Sequence, residues 1–489
     1  MNRNRRSGPF LSRISAYPRR LLHGARNNAE VALLAKNAAW SSTGVVLAQV
    51  ITLLSYMLLA RYIGKESFGQ FTIVQSTVTA VSTFAGLGLG VTATKYIAEL
   101  RLRNPARAGS TITLIGGLTL AWTGLLAVAL WIAAPQIATE VLRRADLVSA
   151  VRMGSILLFF TTVMNVQNGA LAGFESFDAV AKTSVLRGFL ILPFLLFGAA
   201  IGHVSGAVFG FAAAAAVTCV INQALLWRRC KIHSMVFSVH GAVKELSILS
   251  AFSIPALLVN IIPAPCLALA QTLLVRQPGG YGYLAVFTAA FQLRAGIVLL
   301  PALLAQPLVP MMARSSGTGS SSRRNLMRAT CAATLAVSVP LAAIICCFPK
   351  YLMLAYGHSF TGNSPVLMLL AASAVVSSIT TPFISAIISS GRMWILSIAY
   401  AAWGTTFLTA SYMLLPAFHG TALAVAYVIA DSMQAVAVLV IYRRIESKLR
   451  FDLASSVTEL PESALLLGAQ PSPVPLYEVP EVLRRGGRQ

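Results

Sequence analysis

Leu58-Leu59-Ala60-Arg61-Tyr62-Ile63-Gly64-Lys65-Glu66-Ser67-Phe68-Gly69 is a short basic turn between two long apolar runs. The run before it starts near Trp40. The run after it leaves through Gly86-Leu87-Gly88-Leu89-Gly90-Val91-Thr92-Ala93-Thr94-Lys95-Tyr96-Ile97-Ala98-Glu99. As a helix, each run rises about 1.5 Å per residue, and about 20 residues cross the hydrocarbon core of a bilayer. The order of apolar helix, basic turn, apolar helix and basic exit reads as a transmembrane hairpin.

The rest of the chain repeats this kind of text. Of 489 residues, 56% are hydrophobic and 11% charged, where soluble domains carry roughly 25% charged residues. The mean hydropathy is +0.73. These values place the chain among polytopic helical membrane proteins. The formal net charge of +23 comes from basic residues scattered over many short loops. That is the pattern of a positive-inside bias rather than of a nucleic-acid-binding patch. Cys219, Cys230, Cys266, Cys331, Cys346 and Cys347 form no C-x-x-C pair, and no histidine stands at metal spacing. No metal, cofactor or structural disulfide is therefore expected.

Twelve spans are expected, at 40–59, 68–93, 110–134, 151–170, 184–201, 204–227, 249–275, 283–311, 329–348, 366–389, 393–416 and 422–441. With the N-terminus inside, and Arg187 at the inner margin of the fifth span counted with the inside segments, these hold 30 Lys/Arg and the outside loops 6, leaving Arg152 and Arg294 within spans. This asymmetry puts both termini in the cytoplasm. Trp40, Trp131, Trp227 and Trp394 stand at span ends, where indoles prefer the interface. Residues 1–36 are a basic arm without the short apolar core of a cleavable signal. The tail from 446 is Pro-rich, carries mixed charge and reads as disordered.

The spans form a repeat. Leu58-Leu59-Ala60-Arg61 recurs as Leu273-Leu274-Val275-Arg276, and each is followed by a Gly-containing turn and an aromatic-Gly step, Phe68-Gly69 and Tyr281-Gly282. Trp227-Arg228-Arg229 recurs as Tyr442-Arg443-Arg444 at the same offset of 215. Two pseudo-symmetric six-helix bundles follow, at 37–229 and 248–445, joined by a cytoplasmic linker at 230–247. A unit with an even number of spans repeats in the same orientation, so the two are related by an axis along the membrane normal.

Chemistry-bearing residues are few. Of fifteen acids only Asp431 falls within a span, and no outside loop exceeds about 18 residues. That excludes an ectodomain and leaves little for acid-base catalysis; the chain is not expected to be an enzyme. Arg294 is roughly 16 Å into the eighth span, where a charge costs about 2.5 to 3.5 kcal/mol on insertion scales. It either faces a wet cavity to receive a phosphate, pairs with Asp431, or snorkels. Asp431, with Gln434 one turn on, is an ion-pair partner or a coupling site. Arg152 lies near the outer end of the fourth span, as a substrate contact or a snorkelling charge. Lys95 lies at the cytoplasmic mouth, as a first contact for an anionic headgroup or an orientation charge. Arg61 and Arg276, at matched outer ends, form an exit pair or cap helix C-termini. Pro255, Pro263 and Pro265 interrupt the seventh span, Pro301, Pro307 and Pro310 the eighth. Gly86, Gly88 and Gly90 kink the second or allow close packing.

The Arg61–Gly69 turn, the glycine-rich exit to Glu99, Gly169-Ala170-Leu171-Ala172-Gly173 before Phe177-Asp178, and the stretch Ile387–Gly391 occur in an order and spacing that resemble the polysaccharide transport family. These are the O-antigen and exopolysaccharide flippases of the MOP exporter superfamily, and the resemblance covers about 40–445. It implies an all-α, MATE-like fold of about twelve transmembrane helices in the bacterial inner membrane. It implies outward flipping of polyprenyl-diphosphate oligosaccharides by alternating access, with a cationic cavity that Arg294 would fit. It also implies membrane lipids, a polysaccharide polymerase and a chain-length regulator as partners, and no nucleic acid. The long basic arm and the Pro-rich tail depart from the family pattern. A MATE-type multidrug antiporter shares the fold, but such exporters use acids in the N-terminal bundle that this chain lacks. A peptidoglycan-precursor flippase resembles fourteen spans. A non-transporting scaffold of a polysaccharide synthesis complex is the alternative from another class.

Overall fold

The computed structural model describes residues 43–233, 235, 261–305, 308, 320–390 and 393–458. The N-terminal arm, Trp40, most of the expected linker, Pro255, Pro307, Pro310, Gly391 and the tail beyond 458 lie outside these residues. The described residues are almost entirely helical and fall into two units, divided between Ile254 and Pro255.

The first unit opens with α1 (Thr43–Ile63) and α2 (Lys65–Ala85). They meet at Gly64, whose φ of +83° is a left-handed conformation that side-chain-bearing residues avoid. α3 (Leu89–Arg103) continues α2 after a 44° bend. The bend falls in Gly86-Leu87-Gly88, with φ +67° at Gly88, so the glycine run both breaks the second span and packs tightly. α3 extends well beyond the expected end of that span at residue 93. α4 (Pro105–Gln136) starts on a proline at its first turn, capped by the Asn104 side chain, and ends in a π turn, Ile137–Val141. α5 (Val148–Gly173) packs against α2, α3, α4 and α6 (Phe177–Ile232).

α6 is two antiparallel limbs broken at Gly202 and His203, where the fifth and sixth spans were expected to divide. Its first limb begins at Phe177, seven residues before the expected span. Its second limb runs through Ile232, past the expected start of the linker at 230.

In the second unit, Ile261 is helical, Ile262 forms a turn, and α7 (Pro263–Val275) starts at Pro263, where a proline at the first helical position removes a donor that would be unpaired anyway; Pro265 lies within its first turn. α8 (Gly280–Ala305), α9 (Ser320–Cys347), α10 (Pro349–Leu354), α11 (Ser364–Ser389), α12 (Met393–Phe418) and α13 (Ala422–Thr458) follow. A 3₁₀ turn at His419–Thr421 separates α12 from α13. α11 packs against α8, α9 and α13, the same central place that α5 holds in the first unit. α13 continues to Thr458 where a disordered tail was expected from 446, since no Gly or Pro occurs between Tyr442 and Pro461 to stop it.

Eight helices are long and apolar enough to cross a membrane among the described residues. Phe177–Ile232 and Trp394–Ser447 are 56 and 54 residues long and each contains a break. With the bent pair α2–α3 and the apolar α7, the total is compatible with twelve spans. The repeat landmarks play matching parts: Phe68 and Tyr281 are both buried plugs at the start of the helix after the turn, while Arg61 and Arg276 both stand exposed at helix ends.

Surface charges tie the ends of the first unit. Arg144 bridges the Glu66 carboxylate at 2.9 Å and Asp146 at 3.0 Å, clasping the α1–α2 turn to the α4–α5 turn. Hydrogen bonding to Asp146, then to Glu66, raises the Arg144 pKa above its already high ordinary value. At the other end Arg101 pairs with Glu175 at 2.7 Å, and Asp178 with Arg229 at 3.7 Å. The Arg144 clasp is solvent-exposed, so Arg144→Gln should cost about 1 kcal/mol or less. Thermal unfolding in detergent should show that cost shrinking with added salt.

Candidate functional site

The site is built in the second unit, where four helices that are apolar almost all round each contribute polar groups to one point. α8 brings Arg294, with Phe291 one turn before it. α11 brings Ser373 and Ser377, four residues apart and hence on one face. α13 brings Tyr427 and Asp431 by the same spacing, and α12 brings Trp403.

Arg294 is buried, as is Asp431. Arg294 Nη2 donates to Asp431 Oδ2 at 2.8 Å and to Ser377 Oγ at 2.6 Å, and Nε donates to Ser373 Oγ at 2.8 Å. The Ser377 hydroxyl donates in turn to Asp431 Oδ2 at 2.7 Å, while the Trp403 indole N–H donates to Oδ1 at 2.9 Å. The guanidinium lies over the Tyr427 ring at 4.6 Å and the Phe291 ring at 5.6 Å. Tyr427 in turn meets Trp403 and Phe407 edge-on, at 5.5 and 5.2 Å.

The physical outcome is a neutral unit. A buried ion pair survives in a low-dielectric interior when hydrogen bonds satisfy its remaining valences, and this one is nearly saturated. Both carboxylate oxygens are occupied, and among the guanidinium nitrogens Nη1 alone makes no hydrogen bond among the described residues. Gln434, one turn beyond Asp431, has its Nε2 shut from solvent without a hydrogen-bond partner among the described residues.

The other residues singled out from the sequence do not join this cluster. Arg276 follows α7 and is about 20 Å from Arg294 along α8. Arg61, Lys95 and Arg152 belong to the first unit. Arg61 is exposed at the α1–α2 turn, and Lys95 is exposed 34 residues further on, in α3, above the Tyr96 ring at 5.2 Å. Arg152 lies over the Trp131 ring at 5.8 Å, with its Nε buried and making no hydrogen bond among the described residues.

Two features of the first unit were not singled out. Arg187 falls just within the expected span 184–201 but is counted with the inside charges; the structure puts it ten residues into α6, about 15 Å from its start. Its guanidinium lies 5.8 Å from the Phe211 ring. The signal was available in the Gly- and Pro-free stretch Phe177–Leu186, which carries the helix back through Arg187. The second feature is an amide ladder between α5 and α6, in which Gln167 donates to Gln223 and Asn222 to Asn168, each at 3.0 Å.

Comparison with known proteins supplies the context. The chain is 23% identical over 400 residues, covering 79% of it and 87% of the relative, to the EPS I polysaccharide export inner membrane protein EpsE of Ralstonia nicotianae. The corresponding protein of Ralstonia solanacearum is 22% identical over 385 residues, 78% of this chain and 86% of that one. In structure it is similar to an inward-facing multidrug resistance MATE family transporter of the MOP superfamily, with TM-score 0.66 and 17% identity, covering 84% of this chain and 95% of that one. A MOP superfamily transporter from Pyrococcus furiosus, described as having a binding pocket of reverse polarity, gives TM-score 0.63 at 16% identity over 85% of this chain and 96% of that one. Those likenesses establish the fold. The polysaccharide biosynthesis protein family matches residues 34–316, more than half of the chain and the stretch that holds the glycine-broken hairpin, both limbs of α6 and Arg294. The chain is therefore a multi-span membrane protein with the MOP fold and belongs to the polysaccharide biosynthesis protein family.

Proposed function

We propose that this protein exports a polysaccharide precursor across the bacterial inner membrane, and that the cargo is a lipid-linked oligosaccharide on a polyprenyl diphosphate. The carrying observation is the charge of the helical interior. Its one buried acid among the described residues, Asp431, is neutralised by Arg294, so no buried carboxylate described there is left to attract a cationic drug. The family and the export role named for the Ralstonia relatives support the same reading.

In this reading no covalent bond of the cargo changes. The repeated units alternate access to the two sides, and both termini face the cytoplasm, as the Lys/Arg asymmetry favours. The Nη1 edge of Arg294 is a candidate contact for the cargo's diphosphate. Lys95, and Arg61 with Arg276 and Arg152, are candidate contacts on entry and exit. Polysaccharide polymerases and chain-length regulators are candidate partners. An inside-negative potential drives the anion outward, by roughly 4 to 5 kcal/mol for two charges at 100 mV.

Inverted membrane vesicles holding the protein should take up a labelled polyprenyl-diphosphate oligosaccharide, and collapsing the membrane potential should slow that uptake. Absence of uptake with several glycans, together with cation-coupled drug accumulation, would replace this reading with a multidrug exporter.

A further inference from the structure

Two arginines lie deep in helices of this protein, and their surroundings differ in kind. Arg294 has a carboxylate, two serine hydroxyls and two aromatic faces. Arg187 makes no hydrogen bond or ion pair among the described residues, and its Nε is closed off from solvent. None of the described acids of the first unit forms an ion pair with it. Glu66 and Asp146 hold Arg144, Glu175 holds Arg101, and Asp178 holds Arg229 and Lys182. Glu99 and Glu140 stand near helix ends. A cation without a counter-charge in a spanning helix is expensive, and such residues mark sites.

The packing shows that this position is built. Gly188, next in sequence, lets α6 approach the α1 backbone so closely that a Cβ there would lie 3.3 Å from the Ala48 Cα. This brings Arg187 beside Tyr56 of α1, whose phenol oxygen accepts a hydrogen bond from Gln75 Nε2 of α2. Phe211, from the second limb of α6, covers one side of the guanidinium. α1 and the two limbs of α6 thus meet at a planar fork of donors that reaches no acceptor at hydrogen-bond distance among the described residues. The complement of that fork is an oxyanion with two oxygens in one plane, the geometry of a phosphate ester.

We propose that Arg187 is an anion-binding residue of the first unit and takes oxygens of a phosphate ester; on the export reading above, this ester is the diphosphate of the lipid-linked cargo. Arg294, already held by Asp431, is then the lesser contributor to phosphate binding.

The full chain in detergent tests this with farnesyl diphosphate, farnesol, inorganic pyrophosphate and phosphatidylglycerol as probes, read by thermal unfolding and by titration. Farnesyl diphosphate should raise the melting temperature, and Arg187→Gln should weaken its binding about tenfold or more, the worth of a charge-assisted hydrogen bond. Farnesol binding should not change. Without probe, Arg187→Gln should melt no lower than the parent, because no partner is orphaned. Arg187→Lys, which keeps the charge but not the fork, should bind at an intermediate level. Equal, Arg187-dependent binding of pyrophosphate supports the site and assigns it to free phosphate; equal binding of phosphatidylglycerol supports it and assigns it to bulk lipid. Unchanged farnesyl diphosphate affinity in both variants, or a probe-free loss of stability in Arg187→Gln, overturns it. Vesicle uptake separates the two readings: Arg187-dependent binding without transport by the parent removes the export reading only, and full transport by Arg187→Gln removes the site only.

Discussion

Arg294→Met should destabilise the second unit by about 3 to 5 kcal/mol, because it leaves the buried Asp431 carboxylate without its counter-charge. Asp431→Leu should cost a similar amount by stranding the guanidinium. The double variant should recover most of the loss, since replacing a whole buried pair by apolar groups is often neutral or stabilising. Recovery will be incomplete, as Trp403 Nε1 loses its acceptor and Ser377 both of its partners. Thermal unfolding of the four proteins in one detergent closes the cycle, and the coupling energy is the quantity to read. Additive single losses would mean that the two charges do not act as a pair. Because uptake could fall in the single variants through instability alone, Arg294→Lys, which retains the charge, is the better variant for transport.

The second large effect is expected where α6 folds back on itself. A Cβ at Gly210 would stand 2.0 Å from the Phe194 carbonyl oxygen, and one at Gly206 would stand 2.0 Å from that of Gly198. Neither obstacle is a side chain that can rotate away. Gly210→Ala must therefore part the two limbs, and its cost should reach the upper end for overpacking, about 3 kcal/mol or more. Gly116→Ala and Gly117→Ala are the controls, since a Cβ at either meets nothing within 4 Å. They should be neutral or stabilising by up to about 1 kcal/mol through helix propensity. A melting temperature for Gly210→Ala equal to that of the controls would show that the limbs do not touch through their backbones.

The residues that announce themselves in the sequence are those whose type is out of place. Glycines inside an apolar run point to the α2–α3 bend, and His203 and His419 mark the breaks within the two longest helices. Arg294 and Asp431 stand out as charges in spans, and both their pairing and their separation were open from sequence because each helix is apolar on nearly all faces. Such helices carry no amphipathic stripe to tell which way a residue points. For the same reason Ser373, Ser377 and Trp403 pass unnoticed: neutral residues in apolar helices become a site only through the rotation of α11 and α12. Arg187 escaped for a different reason. It sits near the start of the apolar text of its span, whereas the helix itself begins ten residues earlier.

The α6 hairpin bears on how the chain enters the membrane. Its limbs are joined by a two-residue break and touch within a few turns of it, through Gly198 with Gly206 and Phe194 with Gly210. Contacts so local in sequence form early and without a long loop to close. The first limb carries Arg187, a poor passenger for lipid on its own. The second carries Phe211, which meets that guanidinium once the hairpin shuts. Insertion of the two limbs together, as one closed element, gives the arginine a protein surface in place of acyl chains from the moment it leaves the water.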